Sequence, residues 1–323
     1  MRIDPALRAL RTNPAPQRAA QSSLEDAKAD WRNDSRNAAI FEDFRRYGAG
    51  VDLAECAALR RLFVEPEKSA RVVSGLVSKL LPEIFAHPLG QVPFRHQYSG
   101  GMAIMQLAAA GEAAISLVMC ERRANAARPQ TVCFTDSERH EIALAGAGTL
   151  QIVRRAQAAD DQARLSCRPL AIGEGQSLSL SGMFDTKFIE FVEDRLVILR
   201  LSRTAAAPQA SLEFRLSDGK LVHRASGNKG DSQHEMMLSL LGRMGREDAA
   251  PVMAEMTREG SDHVRWQALR ECLALDTARG FAALSALARD AQDPLASDAG
   301  ALRAQLIGAH PQLAIWEKSL CPA

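Results

Sequence analysis

No run of about 18 apolar residues occurs in the sequence, so a membrane-spanning helix is not expected. Met1-Arg2-Ile3-Asp4-Pro5 is not followed by the apolar stretch of a secretory signal. Charge of one sign is also missing, with 40 Lys+Arg set against 39 Asp+Glu in 323 residues. Residues 1–90, 91–231 and 232–323 carry +2, +2 and −3, so no segment forms a basic arm. Neither a nucleic-acid partner nor a polybasic membrane contact is expected. Lysine is scarce: 7 of the 40 basic residues are Lys and 33 are Arg. No two of Cys56, Cys120, Cys133, Cys167, Cys272 and Cys321 are separated by two residues, which leaves neither a zinc ribbon nor a redox pair. A chain of this length does not need disulfide staples, so reduced thiols and a cytoplasmic location are expected. There is no G-x-S-x-G elbow, P-loop, G-x-G-x-x-G fingerprint or H-E-x-x-H.

What is present is a chain whose hydrophobic period changes twice. Residues 1–20, with three prolines, read as a loosely ordered lead-in. Residues 21–90 read as helical. One helix is expected over 22–47, with Ser23 and Asp26 as a capping box and Gly48 and Gly50 as stops. A second is expected from an Asp52 cap to Phe63, and a third from Pro66 to Phe85, kinked or ended by Pro82. From residue 91 the period becomes two. Strands are expected at 102–109, 113–121, 131–134, 138–145, 149–154, 164–169, 176–181, 187–191, 195–201, 211–216 and 220–224. Gly146 and Gly148 are read as turns, and Asp218-Gly219 as a hairpin. Short strands at this spacing indicate a sandwich or barrel. Ser226–Asp231 reads as a linker ending this domain at 231, and 232–323 is helical again.

Two family resemblances follow from particular residues. Asp262-His263-Val264-Arg265-Trp266-Gln267-Ala268-Leu269 resembles the D-x-x-V-R-x-x-A-L pattern of HEAT-type repeats. Units of 29 and 32 residues (234–262 and 263–294) are shorter than the roughly 40 of that family. Pro169–Leu178 resembles the L-x-x-G-(D/E) turn of cupins. The fold class this implies is α+β multidomain: an antiparallel cupin-like jelly roll over 91–231, flanked by N-terminal helices and a C-terminal helical-hairpin domain.

The cupin resemblance also implies where a metal would sit. Metal-dependent cupins place two histidines two residues apart, a Glu shortly after, and another His on a later strand, all pointing into the barrel at one ion. Here His96-Gln97-Tyr98 has a Tyr in the second position. His140 and Glu141 are adjacent and face opposite sides of a strand. A three-histidine site would have to draw His96, His140 and His223 from distant strands. No metal or other cofactor is therefore expected. The alternative is a divalent metal such as iron on His96, His140 and Glu141, with Tyr98 nearby, in an oxygenase-like enzyme.

The remaining candidates are side chains suited to binding. His140 shares parity with Ile142 and Leu144, Tyr98 shares it with His96, and Glu121 extends the parity of Ile115, Leu117 and Met119. These could line a pocket, or could equally be packing and rim residues, with Glu121 paired to Arg122 or Arg123. Arg-Arg pairs at 45–46, 60–61, 122–123 and 154–155 suit carboxylate or phosphate ligands, although surface pairing with acids is commoner. The candidate ligand-binding set is His96, Tyr98, Glu121, Arg122 and His140. In the helical tail, His263, Trp266 and Arg270 share a face and are the candidate partner-binding residues, unless Trp266 is buried with Leu269 and Leu273. The expected function is that of a binding or interaction protein. Its β domain would hold a small molecule or peptide, and its helical layers would present a surface to a protein partner.

Overall fold

The computed structural model describes Arg8 and residues 12–122, 127–156 and 162–313. The chain divides into two compact units, Met1–Arg224 and Ala225–Ala323.

The first unit begins with helices α1 (Ala15–Asn33), α2 (Ser35–Gly48), α3 (Ala57–Leu62) and α4 (Pro66–Ala86). The single helix expected over 22–47 is two, because Asp34 takes an extended conformation between them. Its side chain accepts the Arg36 N–H at 3.0 Å and caps α2. Ser23 lies inside α1 and bonds Glu83 rather than capping a helix. The second expected helix divides into a 3-10 turn, Leu53–Glu55, and α3. Asp52 caps the turn by accepting the Ala54 N–H at 2.7 Å. Pro82 does not end α4. Both Pro82 and Ser78 are exposed, so the carbonyl deprived of its helical donor meets water.

Twelve strands follow among the described residues: β1 (Arg95–Ser99), β2 (Met102–Ala110), β3 (Ala113–Glu121), β4 (Thr131–Phe134), β5 (Ser137–Ala145), β6 (Ala147–Ala156), β7 (Arg164–Gly173), β8 (Ser177–Ser181), β9 (Asp185–Val192), β10 (Arg195–Thr204), β11 (Ser211–Arg215) and β12 (Leu221–Ala225). Strand β1 has no counterpart in the sequence expectation, because all five of its residues are exposed and polar or aromatic. Gly148, expected as a turn, lies within β6. Gly146 is the turn, with φ of +79°.

The strands form a six-stranded antiparallel sheet, β1-β2-β3-β10-β5-β8, and two three-stranded sheets, β7-β6-β9 and β12-β11-β4. The pairing is nested. β6 pairs with β7, β5 with β8 and β3 with β10, while β4 lies against β9. A long hairpin wound in this way is a jelly roll.

The central strands of the six-stranded sheet are buried on both faces. On the outer face Leu107, Ile115, Ile142, Leu199 and Leu201 join Leu24, Trp31, Ile40, Phe44, Leu59 and Leu76 of the helices in one core. On the inner face Val118, Cys120, Ala143, Leu196 and Ile198 pack with Leu150, Ile152 and Ile172 of the opposing sheet. Double burial explains why β3, the centre of β10 and the Ile142–Ala145 end of β5 read as apolar runs. The helices approach the β2–β3 hairpin closely. A Cβ on Gly111, where φ is +50°, would lie 2.2 Å from the Gly48 carbonyl oxygen at the end of α2. Only glycine fits there.

The second unit contains α5 (Lys229–Arg243), α6 (Ala250–Met256), α7 (Asp262–Leu275), α8 (Thr277–Arg289) and α9 (Ala296–Ala309). The expected linker over 226–231 is partly helix, because Asn228 caps α5 by accepting the Gly230 N–H at 2.8 Å. Arg265 is buried, donating to the Thr257 carbonyl at 2.9 Å and pairing with Asp262 and Asp293.

Candidate functional site

The residues singled out from sequence do not assemble into one site. His96 is on the edge strand β1, with Nδ1 2.9 Å from the Phe94 carbonyl. His140 is on β5, four strand spacings away and roughly 19 Å across the sheet. His223 is on β12, in a different sheet. Tyr98 and Glu121 do meet, the hydroxyl donating to the carboxylate at 2.9 Å. The expected Glu121–Arg122 ion pair does not form, because neighbours along a strand point to opposite faces. Arg122 is exposed, and Arg123 lies outside the described residues.

His140 and Glu141 do face opposite ways, but with roles reversed from the inward reading of His140. His140 faces the helices, where Nδ1 lies 2.9 Å from Ser179 Oγ and the buried Nε2 finds no hydrogen-bond partner, 4.0 Å from Glu138. Glu138 itself accepts from Tyr47 at 2.7 Å and pairs with Arg203 at 2.6 Å. Glu141 points inward. The alternative metal set of His96, His140 and Glu141 is therefore not brought together. Among the described residues no group of three or more His, Cys, Asp or Glu side chains is placed to hold a metal ion.

The inner face holds a different constellation. In the strand register Gln106 lies opposite Ser116, Ser116 opposite Arg200, and Arg200 opposite Glu141. These four form a polar row across β2, β3, β10 and β5 on a face otherwise lined by Ile104, Val118, Ile198 and Ala143. Arg139 shares the inner face of β5, and Lys187 of β9 reaches in from the opposing sheet. The side chain of Glu141 is fully buried. One of its oxygens accepts from Arg200 Nε at 2.7 Å and the other from Lys187 Nζ. Arg139 donates to Thr135 Oγ1 at 3.1 Å.

The charges do not cancel. Three cations, two of them bonded to it, surround one carboxylate. Burial opposes ionisation of Glu141, but Lys187 and Arg200 outweigh it and hold its pKa below the ordinary value. Burial lowers the pKa of Lys187, and Arg200 adds to this against the pull of Glu141. Burial also lowers that of Arg139, with Arg200 adding to the effect. Burial raises the Cys120 thiol on the same face. The terminal guanidinium nitrogens of Arg200, and all but one of the donor nitrogens of Arg139, make no hydrogen bond with a described residue. Unbonded guanidinium donors beside a buried ammonium group have the chemistry to receive an anion.

Sequence reasoning passed over Lys187 and Arg200. The available signal was a lone charge in an apolar strand, Arg200 in Leu196-Val-Ile-Leu-Arg-Leu, whereas Glu141 closes the charged run Glu138-Arg-His-Glu. Of the arginine pairs, Arg154 is ion-paired to Asp185 at 2.8 Å, and Arg155 lies over the Phe134 and Phe214 rings. In the second unit Trp266 is half-buried against the α8–α9 core, while His263 and Arg270 are exposed. Trp266 and Arg270 line a groove of about 570 Å³ with Leu273, Leu302 and Leu306, and His263 is not part of it.

No family model matches the chain, and no curated protein matches its sequence. Solved structures similar to it include vicilin from Capsicum annuum, 15% identical over 38% of this chain and 33% of that one, with a TM-score of 0.27. Another is a sugar phosphate isomerase from a cupin superfamily of Silicibacter pomeroyi, 11% identical over 41% and 88%, with a TM-score of 0.26. A third is KdgF from Halomonas sp., 13% identical over 35% and 88%, with a TM-score of 0.24. The chain spans about a third of the length of the vicilin. Cupin structures are thus among those the chain is similar to, and the nested strand pairing of its β region is that of a jelly roll.

Proposed function

We propose that the jelly roll binds a small organic acid between its sheets, with Arg200, Arg139 and Lys187 receiving the negative charge and Gln106 and Ser116 orienting the rest. One observation carries this reading: a row of polar side chains in register across four strands, ending in three cations about a single carboxylate. Lys187 is buried and the Arg200 side chain is 23% exposed, so the surplus positive charge is partly withdrawn from water, and an anion beside it would offset that cost. Glu141 supports a binding role over proton transfer. Both of its oxygens accept charge-assisted hydrogen bonds and its pKa lies below the ordinary range, so it is a poor base.

The test is calorimetric titration of the full chain with malonate, succinate and citrate, comparing wild type with Arg139→Gln. Arg139 does not bond Glu141, so this change removes a receptor cation while leaving the ion pairs intact. At least one acid binds wild type, and the variant loses about tenfold or more in affinity. Absence of binding by all three acids, or equal affinity in the variant, would overturn the proposal.

A further inference from the structure

A second concentration of positive charge lies in the first unit, away from the jelly-roll interior. Where α1 gives way to α2, a cleft of about 90 Å³ opens against α4, lined by Trp31, Asn37, Arg36, Lys68, Arg71 and Lys79 beside Asp34. Its one acid is already engaged. Asp34 accepts from Arg36 Nε at 2.9 Å, Arg36 Nη2 at 2.7 Å and the Arg36 N–H at 3.0 Å. Arg36 therefore holds Asp34 by hydrogen bonds, with Lys79 acting on the same carboxylate only at longer range, which leaves Lys68, Arg71 and Lys79 without a hydrogen-bonded acid.

Two of the three, Arg71 and Lys79, have helical neighbours with which they could pair. Glu67 stands four residues before Arg71, and Glu83 four residues after Lys79, the spacing at which helix ion pairs form. Neither pair forms. Glu83 instead accepts from Ser23 Oγ and lies 3.4 Å from His87 Nε2. The side chains of Lys68, Arg71 and Lys79 make no hydrogen bond or ion pair with any described residue, and all three line the cleft. The three cations share one face of α4, Lys68 and Arg71 a turn apart and Lys79 about 12 Å further along, with Asp34 as the acid in the same lining. The cleft has room for a compact group and no wider.

We propose that this cleft binds a small tetrahedral oxyanion, a phosphate or a phosphate monoester, held by Lys68, Arg71 and Lys79. The site is independent of the organic-acid site between the sheets, and either can fail without the other.

The experiment titrates the full chain with inorganic phosphate and, separately, with phosphoserine at low ionic strength, following binding calorimetrically. Three proteins are compared: wild type, a Lys68→Gln/Arg71→Gln/Lys79→Gln triple variant, and Arg139→Gln. The triple variant changes solvent-accessible side chains and is checked for wild-type circular dichroism. If it does not fold, the single variants Lys68→Gln and Lys79→Gln are used instead. Phosphate binds wild type and Arg139→Gln alike, and the triple variant loses about tenfold or more in affinity. Tighter binding of phosphoserine than of phosphate identifies the occupant as a phosphorylated molecule, and equal binding identifies the free anion. Phosphate binding that survives in the triple variant, that is lost in Arg139→Gln, or that is absent from wild type overturns the proposal.

Discussion

Glu141 is the residue on which the interior depends most, because it alone offsets Lys187 and Arg200. Removing one partner of a buried ion pair leaves uncompensated charge, whereas replacing the pair together is tolerated. Glu141→Ala is therefore expected to destabilise the first unit by about 3–5 kcal/mol, read from urea denaturation. Adding Lys187→Met to Glu141→Gln should recover part of what Glu141→Gln alone loses, and failure to recover would show that charge is not the cause. His140 and Glu141 also set a pH dependence. The folded His140 takes up a proton less readily than its ordinary 6.5, because of burial and Arg203 against the opposing pull of Glu138 and Asp52. Below pH 6.5 the unfolded chain binds a proton that the folded chain resists, so stability falls. The folded Glu141 lies below its ordinary 4.5, so the same sign applies below that pH. Denaturation midpoints should decline in two steps on acidification, with the upper step absent in His140→Gln. The expectation that His140 and Glu141 point to opposite faces followed from strand parity alone. Parity cannot say which face is the interior when both are covered. Ile142 and Ala143 are equally buried, one under the helices and one between the sheets, and the sequence shows both simply as apolar. The inward charges were therefore visible only as an interruption in β10 and as part of the polar run that opens β5.

At the scale of elements, the β5–β6 turn is the most constrained connection. Gly146 has φ of +79°, and a Cβ there would lie 1.7 Å from the Arg195 carbonyl oxygen. Gly146→Ala is expected to lose more than about 1 kcal/mol, both from the left-handed backbone and from separating β5 from β10. Gly173, at the end of β7, has no positive φ, and a Cβ there would meet nothing within 4 Å. Gly173→Ala should therefore leave stability near wild type. Equal effects of the two changes on the denaturation midpoint would contradict the assignment of strain to the turn. The nested pairing of β3 with β10, β5 with β8 and β6 with β7 was only partly legible from sequence. Strand positions follow from alternation and glycine spacing, but the choice of a partner as distant in the chain as β10 is from β3 does not. The helices lost a boundary for a local reason, since a single capping residue at Asp34 splits a pattern whose apolar period runs straight through it.

For the whole molecule, the two units have separate cores. The first joins the helices to the jelly roll, and the second is built from α5–α9 around Leu269, Phe281 and Leu284 on one side and Ala268 and Cys272 on the other. Heat capacity scans of the full chain are expected to resolve into two components, and Glu141→Ala should lower only one of them. A single two-state transition would contradict separate cores. Between the sheets, the surplus of positive charge is proposed to be a receptor for an anion. It is tested most directly by diffraction from crystals of the full chain soaked in sodium bromide, using the anomalous signal of the anion. A bromide is expected between the sheets, within hydrogen-bonding distance of the guanidinium groups of Arg200 and Arg139. Bromide found only at surface arginines, with those two side chains free of it, would contradict the account.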